Sequence, residues 1–476
     1  MVTPAQSSRP SAETSPQSSP QAPAEKSHYG LRGEILSPVE TLAQSVSTMA
    51  PSSTPAATIP LVCALAGNGT WLAYLLATGA VLLVALCVAS FARRSSSPGS
   101  LFIYAETVLP RWLGAMVGWS LVLAYVATGS SVVGGFYQYA ALVFLHSHST
   151  PAASVLLTLT VTAISMWVAW RDVKISARLM LWIEATSLLT ILVVVVLVLG
   201  HRGHHLDARQ ITLQGTTGSG LRLGLVLALF SFVGFESATT LGSEARNPLT
   251  TIPRAVIRSS LLAGAIFVVC AYTEVLGFHM VGQNLGDSQA PMQTLAAVAG
   301  APILGTLINI GVLVSMFACT LACVTAAARV LLLMAHRGLA HGKLRDTHHQ
   351  NETPHVAVLV AGLAAGLPVV VLGARGASGL DVYGWMGSLA TYGFIVTYAL
   401  VAAALPAYLR RNNALRAGAR LLSALAFAAM LLALLGNLYP LPAGPYGKLP
   451  YIYLGYLAAG LLWFAIGEHK RHSRTV

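Results

Sequence analysis

The chain has 476 residues, of which 55% are hydrophobic and only 9% charged, against roughly 25% charged in soluble domains. That balance excludes a soluble globular protein, and no run of ten-residue alternating segments supports a β-barrel. The formal charge of +12 is divided among short segments between apolar runs, which argues against nucleic-acid binding and makes the basic residues a topology signal.

Residues 1–33 are expected to form a disordered cytoplasmic tail. Their first 28 positions are rich in Ser, Pro, Gln and Ala and have no apolar core, so no cleavable signal peptide is expected. From residue 34 onward, apolar segments of bilayer-spanning length recur at about 34–66, 70–92, 102–145, 152–170, 174–200, 221–243, 254–278, 302–336, 355–374, 382–409, 418–438 and 449–467. The fold class is therefore an all-α integral membrane protein with about twelve transmembrane helices. With the amino terminus inside, the inner loops hold Arg93, Arg94, Arg171, Arg246, Arg254, Arg337, Arg410 and Arg411, while the outer loops keep Arg202, Arg209, Arg375 and Lys448. The positive-inside rule places both termini, including a tail at 468–476, in the cytoplasm, and the expected location is the cell (inner) membrane. Cys63, Cys87, Cys270, Cys319 and Cys323 all fall inside apolar spans and read as packed free thiols.

The first span is interrupted. In MAPSSTPAAT, Pro51 removes a backbone donor and disfavours helix before it, so the first half should end near Met49 or Ala50. Ser52, Ser53 and Thr54 fill the gap, and a second half should start with Thr54 as N-cap and Pro55 at the first helical position. Pro60 is expected to kink it further on. A mid-depth restart aims N–H groups and the positive end of a helix dipole at the gap, which suits a carboxylate.

The sixth span repeats the design in FSFVGFES. The helix should run to about Phe232, meet Gly234, and resume with Glu236 in its first turn, leaving carbonyls that suit an ammonium group. A carboxylate at bilayer depth costs about 2.5 to 3.5 kcal/mol on insertion scales, so Glu236 marks a functional position. Interruptions five spans apart point to an inverted-repeat transporter with its substrate at the midplane.

The stretch FSFVGFESATTLGSEARNPLTTIPRAV resembles the sixth span and following loop of the amino acid–polyamine–organocation (APC) permeases, with their F-x-G-F-E, E-x-x-N-P and I-P-R-A elements. Residues 95–119, 172–184 and 328–344 resemble the same family in the same order. The resemblance implies a LeuT-like five-plus-five inverted repeat with discontinuous helices 1 and 6, here a core over 34–409, followed by two peripheral helices over 410–467. It implies a secondary active transporter for an amino acid or related amine, working by alternating access with proton symport or exchange. Where the family often has G-x-G at the first break, this chain has Ser53, Thr54 and Pro55, so hydroxyls take over some backbone contacts.

On that reading the substrate carboxylate meets Ser52, Ser53 and Thr54, and its ammonium the carbonyls near Phe230 and Ser231. Phe230, Phe232 and Phe235 shape the pocket, with Phe230 as gate and Tyr125 as a wall; packing or a bond across helices is the competing role for each. Glu236, with Glu184 as a second candidate, is the expected proton-coupling group; capping of the restarted helix is the competing role for Glu236, and a structural hydrogen bond for Glu184. A proton is the expected coupling ion and ranks ahead of sodium, for which Ser315, Thr320 and Thr325 are the only candidate ligands considered. Arg329 is expected to be an internal salt-bridge partner. No metal or organic cofactor is expected, and an enzyme is disfavoured because the chain has no paired acid and base, metal cluster or nucleophile motif. An obligate amino acid or polyamine exchanger is the alternative on the same fold, and a non-transporting nutrient sensor the alternative from another class.

Overall fold

Proline and glycine punctuation sets most helix limits in this protein. In a computed structural model, residues 36–95, 97, 99–145, 150–171, 174–202, 206–439, 441 and 444–475 are described. The tail expected at 1–33 lies outside them. Among the described residues sixteen α-helices follow one another. The first four are α1 (Pro38–Met49), α2 (Ile59–Ala66), α3 (Thr70–Ala92) and α4 (Ser100–Glu106). Then come α5 (Arg111–Phe144), α6 (Pro151–Arg171), α7 (Lys174–Arg202), α8 (Ala208–Ile211) and α9 (Gly218–Phe230). The remainder are α10 (Pro248–Met280), α11 (Pro291–Val298), α12 (Pro302–His336), α13 (His355–Ala374), α14 (Gly379–Arg411), α15 (Ala417–Leu438) and α16 (Leu449–Thr475).

Among the described residues, 10 helical stretches are long and apolar enough to cross a membrane. The first, Pro38–Ala92, is 55 residues long and merges what the sequence divides into two spans. At about 1.5 Å per residue a bilayer needs only about 20 residues, so a run of that length holds more than one crossing. The sixth expected span is represented by the short helix α9 and a separate turn of 3₁₀ helix, Ser237–Leu241. Two details differ from the sequence reading. The expected span 102–145 divides at Pro110 into α4 and α5, because proline has no N–H to continue the earlier helix. The connection after α10, expected to be loop, contains the short helix α11.

The helix starts follow local chemistry. Ser37 caps α1 in a capping box: its hydroxyl accepts the Glu40 N–H at 3.3 Å, and the Glu40 carboxylate accepts the Ser37 N–H at 2.8 Å. At the other end Ala50 turns left-handed, with φ of 44°, and its N–H still bonds the Val46 carbonyl.

The long helix α5 is the central post of the bundle and packs against both α12 and α14, while α3 packs along α10. Close approach depends on small residues, as is usual where helices meet in a membrane. A Cβ on Gly135 would come within 2.8 Å of Met316, and one on Gly134 within 2.9 Å of Val382. At the periphery, α6, α7 and α16 expose Leu156, Trp167, Trp182, Leu189, Leu462 and Trp463, as lipid-facing helices do. Ser, Thr, Tyr and Glu side chains are instead buried in the interior, where they surround the two interruptions.

Candidate functional site

The two interruptions are built against each other. Gly234 has φ of +95°, a conformation open to glycine and costly for other residues. Its missing Cβ leaves the space occupied by Thr48, in the last turn of α1, and a side chain there would overlap it. The Thr48 hydroxyl meets the Ser237 hydroxyl at 2.9 Å, and Ser45 donates to the Phe235 carbonyl at 2.7 Å. The Ser45 hydroxyl also accepts the Ala238 N–H at 3.2 Å. These bonds satisfy backbone groups that a broken helix would leave open in hydrocarbon.

The first break differs in detail from its sequence reading. The first half does stop at Met49, but the restart is a π-helical turn, Thr54–Thr58, whose N-cap is Ser53 rather than Thr54. Ser53 makes no side-chain cap; its hydroxyl donates back to the Ala50 carbonyl at 2.7 Å. Pro60 lies in the first turn of α2, where the π turn tightens into α-helix, so it marks a junction rather than a bend within a helix. Tyr139 from α5 donates to the Ala56 carbonyl at 2.6 Å and Cys319 from α12 to the Thr48 carbonyl at 3.0 Å.

At the second break the α-helix ends at Phe230, two residues earlier than expected, and a series of tight turns carries the chain to the 3₁₀ segment. Glu236 occupies the N-cap position but makes no side-chain cap bond. Its fully buried carboxylate instead accepts the Tyr125 hydroxyl at 2.8 Å and the Tyr398 hydroxyl at 2.6 Å. Tyr125 and Tyr398 belong to α5 and α14, so one carboxylate ties the sixth-span break to two other helices. The rings of Phe394 and Phe235 enclose this clamp, at 5.4 Å from Tyr125 and 5.3 Å from Tyr398 respectively.

Glu184 belongs to the first break. From α7 it accepts the Ser52 N–H at 2.7 Å, occupying one of the donors that the sequence reading left for a substrate carboxylate. The hydroxyls of Ser52 and Ser315 are buried beside the Glu184 carboxylate.

The aromatic residues divide. Phe230 packs over Gly387, within 2.7 Å of where a Cβ would be, and edge-on to Tyr383 at 5.6 Å. Tyr383 in turn shares a hydrogen bond of 2.8 Å with Thr58, just past the first break. Phe232 points elsewhere, against Phe267 of α10 at 5.2 Å. Ser231 pairs with the Tyr74 hydroxyl at 3.0 Å. Thr320, considered for sodium, donates to the Met316 carbonyl at 2.9 Å. Tyr398, Tyr383, Tyr139 and Cys319 were not among the site residues read from the sequence: α5, α12 and α14 hold several polar side chains each, and only packing shows which of them face the breaks.

One end of the bundle is closed by backbone and charge. Leu36 and Ala245 form an isolated parallel bridge, with bonds from Leu36 N–H to the Glu244 carbonyl at 2.8 Å and from Arg246 N–H to the Leu36 carbonyl at 2.9 Å. Beside it, buried Arg329 grips Glu244 through two bonds, of 2.7 and 2.9 Å, the internal pair expected for that arginine. At the other end a pocket of about 420 Å³ is lined by Cys63, Asn68, Arg209, Val275 and His279 among others. His279 there bonds Asp207 at 2.8 Å. All five cysteines are free and buried. Among the described residues no group of three or more His, Cys, Asp or Glu is arranged to hold a metal ion.

An all-helical membrane bundle with two paired interruptions and buried acids at each is the architecture of a solute-handling membrane protein rather than of an enzyme with a reaction centre. The chain belongs to the amino acid permease family, whose model matches residues 45–476. It is 26% identical over 354 residues to cationic amino acid transporter 4 of Mus musculus, an alignment covering 71% of this chain and 54% of that protein. The chain thus spans about half the length of that relative. It is 27% identical over 322 residues to an uncharacterized transporter of Mycobacterium tuberculosis (67% of this chain, 70% of that one). It is also 21% identical over 374 residues to the methylthioribose transporter of Bacillus subtilis (75% and 77%). These relatives are transporters, and the family is one of permeases.

Proposed function

We propose that this protein is a secondary active transporter for an amino acid or related amine, coupled to protons and working by alternating access. The observation that carries the reading is the pairing of the two interruptions through Gly234 and Thr48, with Glu184 bonded to one break and Glu236 at the other. On this reading the substrate sits between the breaks, with its carboxylate toward the π turn after Ser53 and Thr54 and its ammonium toward the carbonyl end of α9 near Phe230 and Ser231. Phe230, wedged over Gly387, is the gate, and Phe235, Phe232 and Tyr125 form surrounding structure. The helices group as twelve spans, with a five-plus-five inverted repeat over 34–409, two peripheral helices over 410–467, and both termini in the cytoplasm of a cell whose inner membrane holds the protein. The names of the mouse and Bacillus relatives, one a cationic amino acid transporter and the other a methylthioribose transporter, leave the amine as the group to vary in a substrate panel.

Glu236 is the proposed coupling residue, with Glu184 second. Each is a carboxylate whose hydrogen bonds join a broken span to other helices, so adding a proton changes the bonds that hold the breaks in place. The test is uptake into proteoliposomes of labelled amino acids and amines, with and without an inward proton gradient. Glu236→Gln should lower gradient-driven uptake at least tenfold while equilibrium binding of the substrate persists. Gradient-independent uptake that survives the substitution defeats the coupling role and moves the mechanism to exchange.

A further inference from the structure

A third acid in the interior is unlike the other two. Glu274 of α10 is fully buried, and neither of its carboxyl oxygens has a hydrogen-bond partner. Glu184 has the Ser52 N–H and Glu236 has two tyrosine hydroxyls, so both are satisfied as carboxylates. Glu274 has no donor to serve that purpose. A bare carboxylate out of water is among the most costly groups a protein can hold, and it is relieved by a proton or another cation.

The surroundings favour the proton. Cys63 from α2, Tyr74 from α3, Tyr139 from α5 and Cys270 from its own helix lie within electrostatic reach. The two tyrosine hydroxyls are committed elsewhere, to Ser231 and to the Ala56 carbonyl. Of the other elements packed on α10, α1 brings only Glu40, bonded at its capping box, and α11 brings no ionisable residue; α7 brings Glu184, bonded to Ser52, at mid-length, with Lys174, Arg178, His201 and Arg202 toward its ends, and α10 itself has Arg254 and Arg258 in its first turns and His279 in its last. Asp287, on the 3₁₀ turn beside Cys63, adds negative charge to that side. No lysine or arginine is among the four side chains nearest in charge, Cys63, Tyr74, Tyr139 and Cys270. The next residue, Val275, and Cys63 both line the pocket at the His279 end, which brings that pocket to within one residue of Glu274 along the chain.

We propose that Glu274 is a proton-binding site, loaded from water in the pocket at the His279 end and holding its proton while the Leu36 end is closed. The proton forms an O–H bond on one carboxyl oxygen and leaves to water when the bundle opens at the opposite end. The role in coupling rests on the transporter reading; the binding site itself does not.

Two measurements on the full-length protein in lipid separate these. The infrared carbonyl stretch of a neutral carboxylic acid, recorded near neutral pH in H2O and D2O, should be present in the wild type, lost in Glu274→Gln and retained in Glu184→Gln. Should Glu274→Gln not fold, Glu274→Asp serves in its place by shifting the band. In proteoliposomes, Glu274→Gln should lose proton-driven accumulation at least tenfold. A band untouched by either Glu274 substitution overturns the proposal, as does a carboxylate band that responds only to added lysine, which would make Glu274 a counter-charge for substrate. A Glu274-dependent band in a protein that transports nothing in the panel sustains the site and defeats the transporter reading. Proton-driven uptake unchanged in Glu274→Gln does the reverse for coupling.

Discussion

At the scale of single residues, Gly234 joins conformation to contact. Its φ of +95° disfavours any side chain, and the volume a Cβ needs is filled by Thr48. Gly234→Ala is expected to cost about 1 to 3 kcal/mol from backbone strain, with the overlap in addition. Measured by thermal melting in detergent, the double substitution Gly234→Ala with Thr48→Ser should recover only the part of the overlap that comes from the Thr48 methyl, because the strain and the 2.7 Å approach to the Thr48 Cβ remain. Full recovery would place the whole cost in packing. Glu236 was legible from sequence as a carboxylate out of place, but its function was not. The capping role suggested by its position is not realised: its oxygens face Tyr125 and Tyr398, which are 111 and 162 residues away in the chain.

Among elements, the buried pair Arg329 and Glu244 joins α12 to the turn that follows the 3₁₀ half of the sixth span. Removing one partner of a buried ion pair strands the other charge, at a cost of about 3 to 5 kcal/mol, whereas replacing both with apolar groups is often near neutral. Arg329→Met should therefore lower the melting temperature strongly, and Arg329→Met with Glu244→Leu should restore most of it. Equal losses in the single and double variants would mean that the pair does not act as a unit. The first break was readable because its signal is local: Pro51 and Pro55 act within one turn, whereas the division at Pro110 and the capping box of Ser37 and Glu40, equally local, were not read from the sequence. The π turn and the 3₁₀ segment were not readable, since the choice among 3₁₀, α and π windings is made by neighbours such as Tyr139, which takes the Ala56 carbonyl.

At the scale of the whole molecule, the closed Leu36 end is matched by a ring of polar contacts at the other. There burial raises the pKa of Asp207, and hydrogen bonds from His279, Gln210 and the Arg209 N–H outweigh it and together bring the group below the ordinary carboxylate range. A group with a lowered folded value contributes stability above its unfolded pKa of about 3.9 and loses it as pH falls through the folded value. The melting temperature of wild type relative to Asp207→Asn should accordingly be constant from about pH 5 to 7 and shrink below about pH 4. A difference that stays constant to the lowest pH would show that the Asp207 charge does not contribute.

The membrane class, most of the spans and both interruptions were determined by the sequence alone, because hydrophobic length and proline or glycine placement act through the nearest neighbours and the solvent. The pairing of Gly234 with Thr48, the clamp of Tyr125 and Tyr398 on Glu236, the reach of Glu184 to Ser52 and the isolation of Glu274 were decided only by the tertiary structure. The physical reason is that a buried carboxyl takes its character from the donors packed around it, and those donors come from helices far apart in the chain.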